Sequence, residues 1–222
     1  MNNRRELEQQ VLDFSHRLHR SGWVANHDGN ITVKLEEGRY LATPTALSKE
    51  SIKPEDLIVV DDNANVVSGR MRPFSELALH LYVYRQRPDV RVVMHAHPPT
   101  ATGLSVAGVG IDTTMMAEPV VSLGQEVPLI RYARPKSPEW TLNLSPAIED
   151  SDAILMENHG VFTFGEDLET AYLRMELVEH LAKIQLVAHQ AGGIRQIPTD
   201  DVAALLKARA KAGLGKAGRA KA

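Results

Sequence analysis

The segment Val90–His97, with the sequence VRVVMHAH, constrains the fold of this chain more than any other feature. It is apolar and β-branched, with Pro88 before it and Pro98–Pro99 after it. Because proline interrupts regular structure on both sides, the pattern predicts a short buried strand. Side chains two residues apart on a strand share a face, so His95 and His97 are predicted to project together from the strand's end.

The segments around this strand predict a mixed, partly antiparallel sheet covered by helices. Hydrophobic spacing predicts helices from about Leu7 to Gly22, from Ser75 as N-cap to Arg87, and over Asp167–Gln190; apolar runs predict strands at Ile31–Leu35, Tyr40–Thr43, Asp56–Val60, Val127–Ile130, Ala153–Met156 and Val161–Phe164. The elements do not alternate as strict βαβ units. We therefore expect an α/β fold with one domain over residues 1–206.

Composition narrows the function classes. The formal net charge of -3 argues against a nucleic-acid binder, and no apolar stretch predicts a membrane span. Residues 207–222 carry basic side chains without an acid and predict a flexible, solvated tail. The chain has no cysteine, which fits a reducing compartment and predicts a cytoplasmic protein.

Histidines at strand ends indicate a metal site. His95 and His97 could occupy two adjacent positions around one ion, and His159 follows a second apolar strand. Gly160 would permit a tight turn that aims His159 inward. Without cysteine, any transition-metal site must use nitrogen and oxygen ligands. The alternative for His95 and His97 is a structural histidine pair, and the alternative for His159 is an ordinary histidine in a turn.

Glu76 is the candidate acid/base. It precedes His95 by one helix and one connection, which can bring both to one cleft. The competing interpretation is a first-turn glutamate favoured only by the helix dipole. The chain has no HExxH, GxGxxG or P-loop motif, which excludes the usual zincin, dinucleotide and nucleotide sites.

Five short motifs together resemble the class II aldolase/adducin family, which includes L-fuculose-phosphate and rhamnulose-phosphate aldolases and ribulose-phosphate 4-epimerase. The resemblance spans roughly residues 5 to 190. It is carried, in the family's order, by Asp28–Val33 (DGNITV), Thr43–Thr45 (TPT), Pro73–Glu76 (PFSE), His95–His97 (HAH) and Asn158–Gly160 (NHG).

The resemblance implies a three-layer α/β/α domain around a mostly antiparallel sheet, assembled as a homotetramer with active sites between subunits. It implies a lyase that reversibly cleaves a C–C bond of a small ketose phosphate, or of a related hydroxy-keto substrate, through a metal-stabilised enediolate. The matched positions are zinc ligands at His95, His97 and His159 (Mn²⁺ and Co²⁺ being the alternative ions), the acid/base at Glu76, and a phosphate cradle at Gly29, Asn30, Thr45 and Ser75.

Three positions depart from the family pattern. Ala46 replaces a glycine, Phe74 replaces a serine, and Met116 stands where the sugar-phosphate aldolases carry a tyrosine. The first two are expected to weaken or reshape phosphate binding. They leave open a metal-dependent decarboxylase, dehydratase or epimerase. A non-enzymatic adducin-like interaction module is also open, although the three histidines argue against it.

Overall fold

The fold is described by a computed structural model covering residues 4–134, 137 and 139–220. The helices are α1 (Arg4–Arg20), α2 (Leu77–Gln86), α3 (Pro99–Val106), α4 (Ala117–Leu123), α5 (Glu139–Leu142), α6 (Ser145–Ile148), α7 (Leu168–Gln190), α8 (Thr199–Lys211) and α9 (Gly215–Arg219). The strands are β1 (Asn30–Glu36), β2 (Arg39–Ala42), β3 (Ile58–Val60), β4 (Val66–Ser68), β5 (Val92–Ala96), β6 (Ile111–Asp112), β7 (Glu126–Val127), β8 (Leu129–Ile130), β9 (Ala153–Met156) and β10 (Gly160–Gly165).

Within the described ranges, eight strands form one sheet in the order β4-β3-β2-β1-β5-β10-β9-β8. All neighbours pair antiparallel except β8 and β9, which are parallel. The predicted strand at Val90–His97 is confirmed as β5, at the centre of the sheet. The predicted mixed, mostly antiparallel sheet is therefore confirmed.

Helices cover both faces of this sheet, which gives the expected three-layer α/β/α arrangement. Val92, Met94 and Ala96 of β5 point to the face packed by α1, α3 and α7. Val93 belongs to the opposite core, with α2, α5 and α6. The two-residue period of the strand thus divides the apolar side chains between two cores, and His95 lies on the same side as Val93.

Local chemistry explains the end of α1, as predicted, and the start of α7. Gly22, with φ of 70°, closes α1, and the Asp167 side chain caps α7 by accepting from the Thr170 amide at 2.7 Å. The predicted N-cap at Ser75 is wrong. Ser75 and Glu76 form a turn, and α2 begins at Leu77 with Glu76 at the N-cap and no side-chain capping bond. The Glu76 carboxylate therefore does not cap its own helix.

The C-terminal segment differs from the predicted flexible tail. Residues 199–219 form α8 and α9; residues 221 and 222 of the predicted tail lie outside the described residues. Asp152 is 2% exposed and accepts from Arg209 at 3.1 Å and from Arg219 at 3.1 Å. The basic residues of this segment therefore find a buried counter-charge that only the tertiary fold provides.

Asp152 also pairs with Arg87 at 2.7 Å and Arg174 at 3.3 Å, so four guanidinium groups surround one carboxylate. Burial alone would raise the pKa of Asp152, but the charges of Arg174 and Arg87 outweigh it and hold the pKa below its usual value. Backbone carbonyls satisfy further guanidinium donors, for example those of Ile148 and Ser151 for Arg87.

Across the described ranges, no helix has the length and apolar character needed to cross a bilayer.

Candidate metal centre

The three predicted histidines meet at one end of the sheet. One ligand nitrogen from each of His95, His97 and His159 lies within 4.8 Å of the other two. The Nε2 atoms of His95 and His97 are 3.1 Å apart. Two nitrogens that bind one tetrahedral zinc ion at about 2.0–2.1 Å would lie about 3.3 Å apart, so the observed spacing fits a shared ion. The prediction that these segments converge is therefore correct.

Burial, ring stacking and a hydrogen bond orient the His95 ring. Its ring is 1% exposed and stacks on Phe162, with the ring centroids 4.1 Å apart. Its Nδ1 lies 2.9 Å from the Val161 carbonyl oxygen, which can only accept a hydrogen bond. This contact places the proton on Nδ1 and leaves the Nε2 lone pair facing the other histidines.

Burial and neighbouring charges favour the neutral form of two of the three histidines, His95 and His159. Burial, followed by the nearby His159 and His97, holds the pKa of His95 well below its ordinary value. Burial also lowers the pKa of His159, with His97 acting in the same direction and Glu76 and Asp28 opposing it. Neutral imidazole is the form that binds metal ions, so the lowered pKa values of His95 and His159 favour a divalent cation here.

Gly160 contributes in a different way from the one predicted. The positive φ in this turn belongs to Asn158, at 55°, and not to Gly160. A Cβ at Gly160 would instead lie 2.5 Å from His97 Cδ2 and 2.6 Å from the Ala96 carbonyl oxygen. Glycine is therefore required by the close approach of β10 to the histidines.

Glu76 borders the histidine cluster. Its Oε1 lies 3.9 Å from His159 Nε2, and its Oε2 accepts a hydrogen bond from Asn30 Nδ2 at 3.4 Å. Asn30 is paired with His95 across β1 and β5, so the sheet register brings the amide to the cluster. Among the described residues, Asn30 Oδ1 is buried and has no hydrogen-bond partner. It is a polar atom available to a ligand.

The remaining predicted cradle residues lie on adjoining segments. Gly29 is buried with φ of 71°, and a Cβ there would lie 3.0 Å from the His95 carbonyl oxygen. Thr45 is half-buried, and its amide donates to the Arg72 carbonyl at 3.0 Å, which ties its loop to the segment leading to Ser75. Ser75 is exposed.

The departures at Ala46 and Phe74 lie in different structural surroundings. The Phe74 ring is 7% exposed and packs edge-on against His80, with the centroids 5.0 Å apart. The ring lies in the core, so its main effect is the loss of a hydroxyl group at that position. Ala46 has φ of 61°, a conformation that favours glycine, so the Cβ of alanine makes the backbone strained at this position.

Asp28 stands in the first of the five motifs but was not among the predicted site residues. Its Oδ2 lies 3.5 Å from His97 Nδ1. The only available signal was its position immediately before Gly29 and Asn30.

Comparison with known proteins agrees with the geometry. The profile of the Class II Aldolase and Adducin N-terminal domain matches residues 9–186. The chain is 33% identical over 182 residues to L-fuculose phosphate aldolase of Haemophilus influenzae (81% of this chain and 82% of the relative). It is 31% identical over 182 residues to 3-oxo-tetronate 4-phosphate decarboxylase of Escherichia coli K12 (80% and 85%).

A solved structure, the L-fuculose-1-phosphate aldolase of Thermus thermophilus, has the same fold. It superposes with a TM-score of 0.75 at 27% identity, over 86% of this chain and 100% of that one. The family match covers most of the chain, and the sheet order, helix layers and histidine cluster accompany it. The chain belongs to the class II aldolase and adducin family.

Proposed function

We propose that this protein is a zinc-dependent class II aldolase that reversibly cleaves a small ketose phosphate or a related hydroxy-keto compound. The single observation that carries the proposal is the cluster of His95, His97 and His159 with the Glu76 carboxylate 3.9 Å from His159. The three histidines would hold the ion. A divalent cation bound there supplies the positive charge that stabilises an enediolate.

Glu76 carries the proton. Cleavage of the C–C bond leaves its electron pair on the donor fragment, while the hydroxyl group that becomes the aldehyde loses its proton to solvent. The Glu76 carboxyl group, protonated from solvent, then delivers a proton to the donor carbon. The reverse reaction requires the same carboxylate to remove that proton. The hydrogen bond from Asn30 to Oε2 orients the group and leaves Oε1 on the histidine side.

Gly29, Asn30, Thr45 and Ser75 would bind the anionic end of the substrate. Backbone amides and hydroxyl groups can surround a phosphate without a fixed positive charge. The buried, unpartnered Oδ1 of Asn30 within the described chain supports a polar ligand here, such as a substrate hydroxyl group that donates to it. A phosphate oxygen would instead be met by N–H and O–H donors.

The test measures isotope exchange and metal content together. We expect one zinc ion per chain in the purified protein, and we expect Glu76→Gln to abolish solvent-deuterium exchange at the donor carbon of dihydroxyacetone phosphate while retaining the metal. Glu169→Gln, at another helix start and exposed, is the matched control and should exchange normally. Unchanged exchange in the Glu76 variant would remove the residue from this role.

A decarboxylase is the second candidate. The relative from E. coli K12 named 3-oxo-tetronate 4-phosphate decarboxylase is 31% identical, close to the value for the aldolase relatives. Loss of carbon dioxide from a 3-oxo acid leaves an electron pair on carbon as aldol cleavage does, so Glu76 could protonate that carbon. Assays of aldehyde and carbon dioxide release, with phosphorylated and unphosphorylated substrates, distinguish the two reactions.

We also propose a homotetramer that acts in the cytoplasm on a small-molecule substrate. Exposed apolar side chains on α7, namely Leu173, Leu186 and Val187, support contact with another subunit. Light scattering after size exclusion would test the assembly, and a monomer at micromolar concentration would contradict it.

A further inference from the structure

The loop before β1 holds His97 by its backbone as well as by its side chain. The His97 amide donates to the Trp23 carbonyl at 2.8 Å. Gly29 presses this loop against β5, because a Cβ there would lie 2.4 Å from Val24 Cγ1 and 3.0 Å from the His95 carbonyl oxygen. Asp28 immediately precedes this close contact and therefore comes out beside the His97 ring.

The two nitrogens of the His97 ring face different partners. Nε2 lies 3.1 Å from His95 Nε2, on the inner side of the cluster. Nδ1 lies 3.5 Å from Asp28 Oδ2, on the outer side. His95 has the same division, with Val161 oxygen at its outer nitrogen. Histidines that bind metal ions generally donate their other N–H to a carbonyl or carboxylate, which fixes the tautomer and raises ligand basicity.

We propose that Asp28 is the positioning residue for His97: its carboxylate accepts the Nδ1 proton, which keeps the Nε2 lone pair directed at the metal position. The inference rests on the proposed metal site and assigns a residue that acts through His97 rather than on the substrate. The 3.5 Å separation is slightly longer than a hydrogen bond, and we expect it to shorten when an ion fixes the ring.

The charges around Asp28 agree with this role. Lys49 is 1% exposed, its Nζ donates to the Leu47 carbonyl at 3.2 Å, and burial lowers its pKa to about 8 while the charge of Asp28 opposes the fall. The charge of Asp28 therefore acts on a buried cation, and its Oδ2 lies beside the His97 ring. With Glu76, it supplies two negative charges that offset those of a divalent cation.

The experiment compares metal affinities. The dissociation constants of Zn²⁺ and Co²⁺ are measured by chelator competition for the wild type, Asp28→Ala and Asp28→Asn. We expect Asp28→Ala to weaken binding by about 10- to 100-fold. Asp28→Asn should lose less, because the amide oxygen still accepts the Nδ1 proton without the charge. The visible spectrum of bound Co²⁺ should change in Asp28→Ala, since His97 is no longer oriented.

Glu50→Gln is the matched control, because Glu50 and His19 form a carboxylate–histidine pair at 3.8 Å that lies outside the cluster. It should leave both metal affinities unchanged. The melting temperature of the metal-free proteins separates positioning from folding, since Asp28→Ala and the wild type should melt alike without metal. A metal affinity for Asp28→Ala within twofold of wild type would overturn the proposal, as would an equal loss in Glu50→Gln.

The same data distinguish this proposal from the proposed function. Suppose that the wild type binds zinc but neither cleaves nor decarboxylates a substrate, and that Asp28→Ala binds zinc more weakly. This result would refute the proposed function and retain the inference about Asp28. A wild type that is active with zinc but shows no change in Asp28→Ala would do the reverse. A wild type that binds no divalent cation contradicts both.

Discussion

Replacing Gly160 with alanine should damage the metal site more than the fold. The added Cβ would lie 2.5 Å from His97 Cδ2, 2.6 Å from the Ala96 carbonyl oxygen and 3.2 Å from His95 Cε1. Favourable carbon contacts occur at about 3.5–4.0 Å, so the overlap with the His97 ring is about 1 Å. The φ of Gly160 is not positive, so the effect of alanine is purely steric.

Two routes can relieve this overlap, and both disturb the histidines. Strand β10 could move away from β5, but Val161 and Ala96 are paired in the ladder and Val161 oxygen holds His95. The His97 ring could rotate, but its Nε2 would then leave the cluster. Overpacking of this kind costs about 1–3 kcal/mol. If metal binding must restore the original geometry, the same energy weakens the metal affinity by about 5- to 150-fold.

The assay is Zn²⁺ affinity by chelator competition, together with urea unfolding of the metal-free protein. Gly103→Ala is the matched control, because Gly103 lies inside α3 and nothing is within 4 Å of its added Cβ. It should keep the metal affinity and stabilise the protein by about 0.5–1 kcal/mol. Asn158→Gly should also be tolerated, since the strained φ lies there. Wild-type affinity in Gly160→Ala would refute the steric argument.

Three further changes test the core and the loops. Asp152→Ala should lower the free energy of unfolding by about 3–5 kcal/mol, measured in urea, because the guanidinium groups of Arg87 and Arg209 would be left buried without their charge partner. Burial lowers the pKa of His80 to about 3, so below about pH 6.5 only the unfolded state binds this proton, and stability should fall by up to about 1.4 kcal/mol per pH unit toward pH 3. Unfolding of His80→Gln followed against pH should show a shallower acid slope than the wild type. Ala46→Gly removes the strain of a positive φ, about 1 kcal/mol, but increases the entropy of the unfolded chain, so the melting temperature should rise slightly.

The placement of His95 beside His97 was predictable because its signals are local. The proline-bounded strand fixed the position of His95 and His97, and the strand period placed them together. Glu76 could be identified from the sequence as a candidate acid/base, but the turn that contains it could not. Ser75 is a residue type that favours the N-cap, whereas tertiary packing places the start of α2 at Leu77.

Apart from His159, partners that are distant in sequence were not predictable. The interaction of Asp28 with His97 depends on how closely Gly29 approaches β5, a backbone distance that no residue pattern encodes. The parallel pairing of β8 with β9 depends on a long connection in the same way. Residues 207–222 gave the local pattern of a solvated tail, since the counter-charge of Arg209 is 57 residues away in the chain.

The β9–β10 hairpin separates the determinants of stability from those of metal binding. Asp152 immediately precedes β9 and binds four arginines, whereas His159 lies in the turn after β9. The four residues of β9 span about 13 Å at about 3.3 Å per residue. The loss of charge at Asp152 should therefore destabilise the fold without changing the zinc affinity of molecules that remain folded. Gly160→Ala should instead lower the zinc affinity more than the stability of the fold. If both variants lost stability and affinity in proportion, the histidine cluster would depend on the whole fold rather than on the local contacts at the turn.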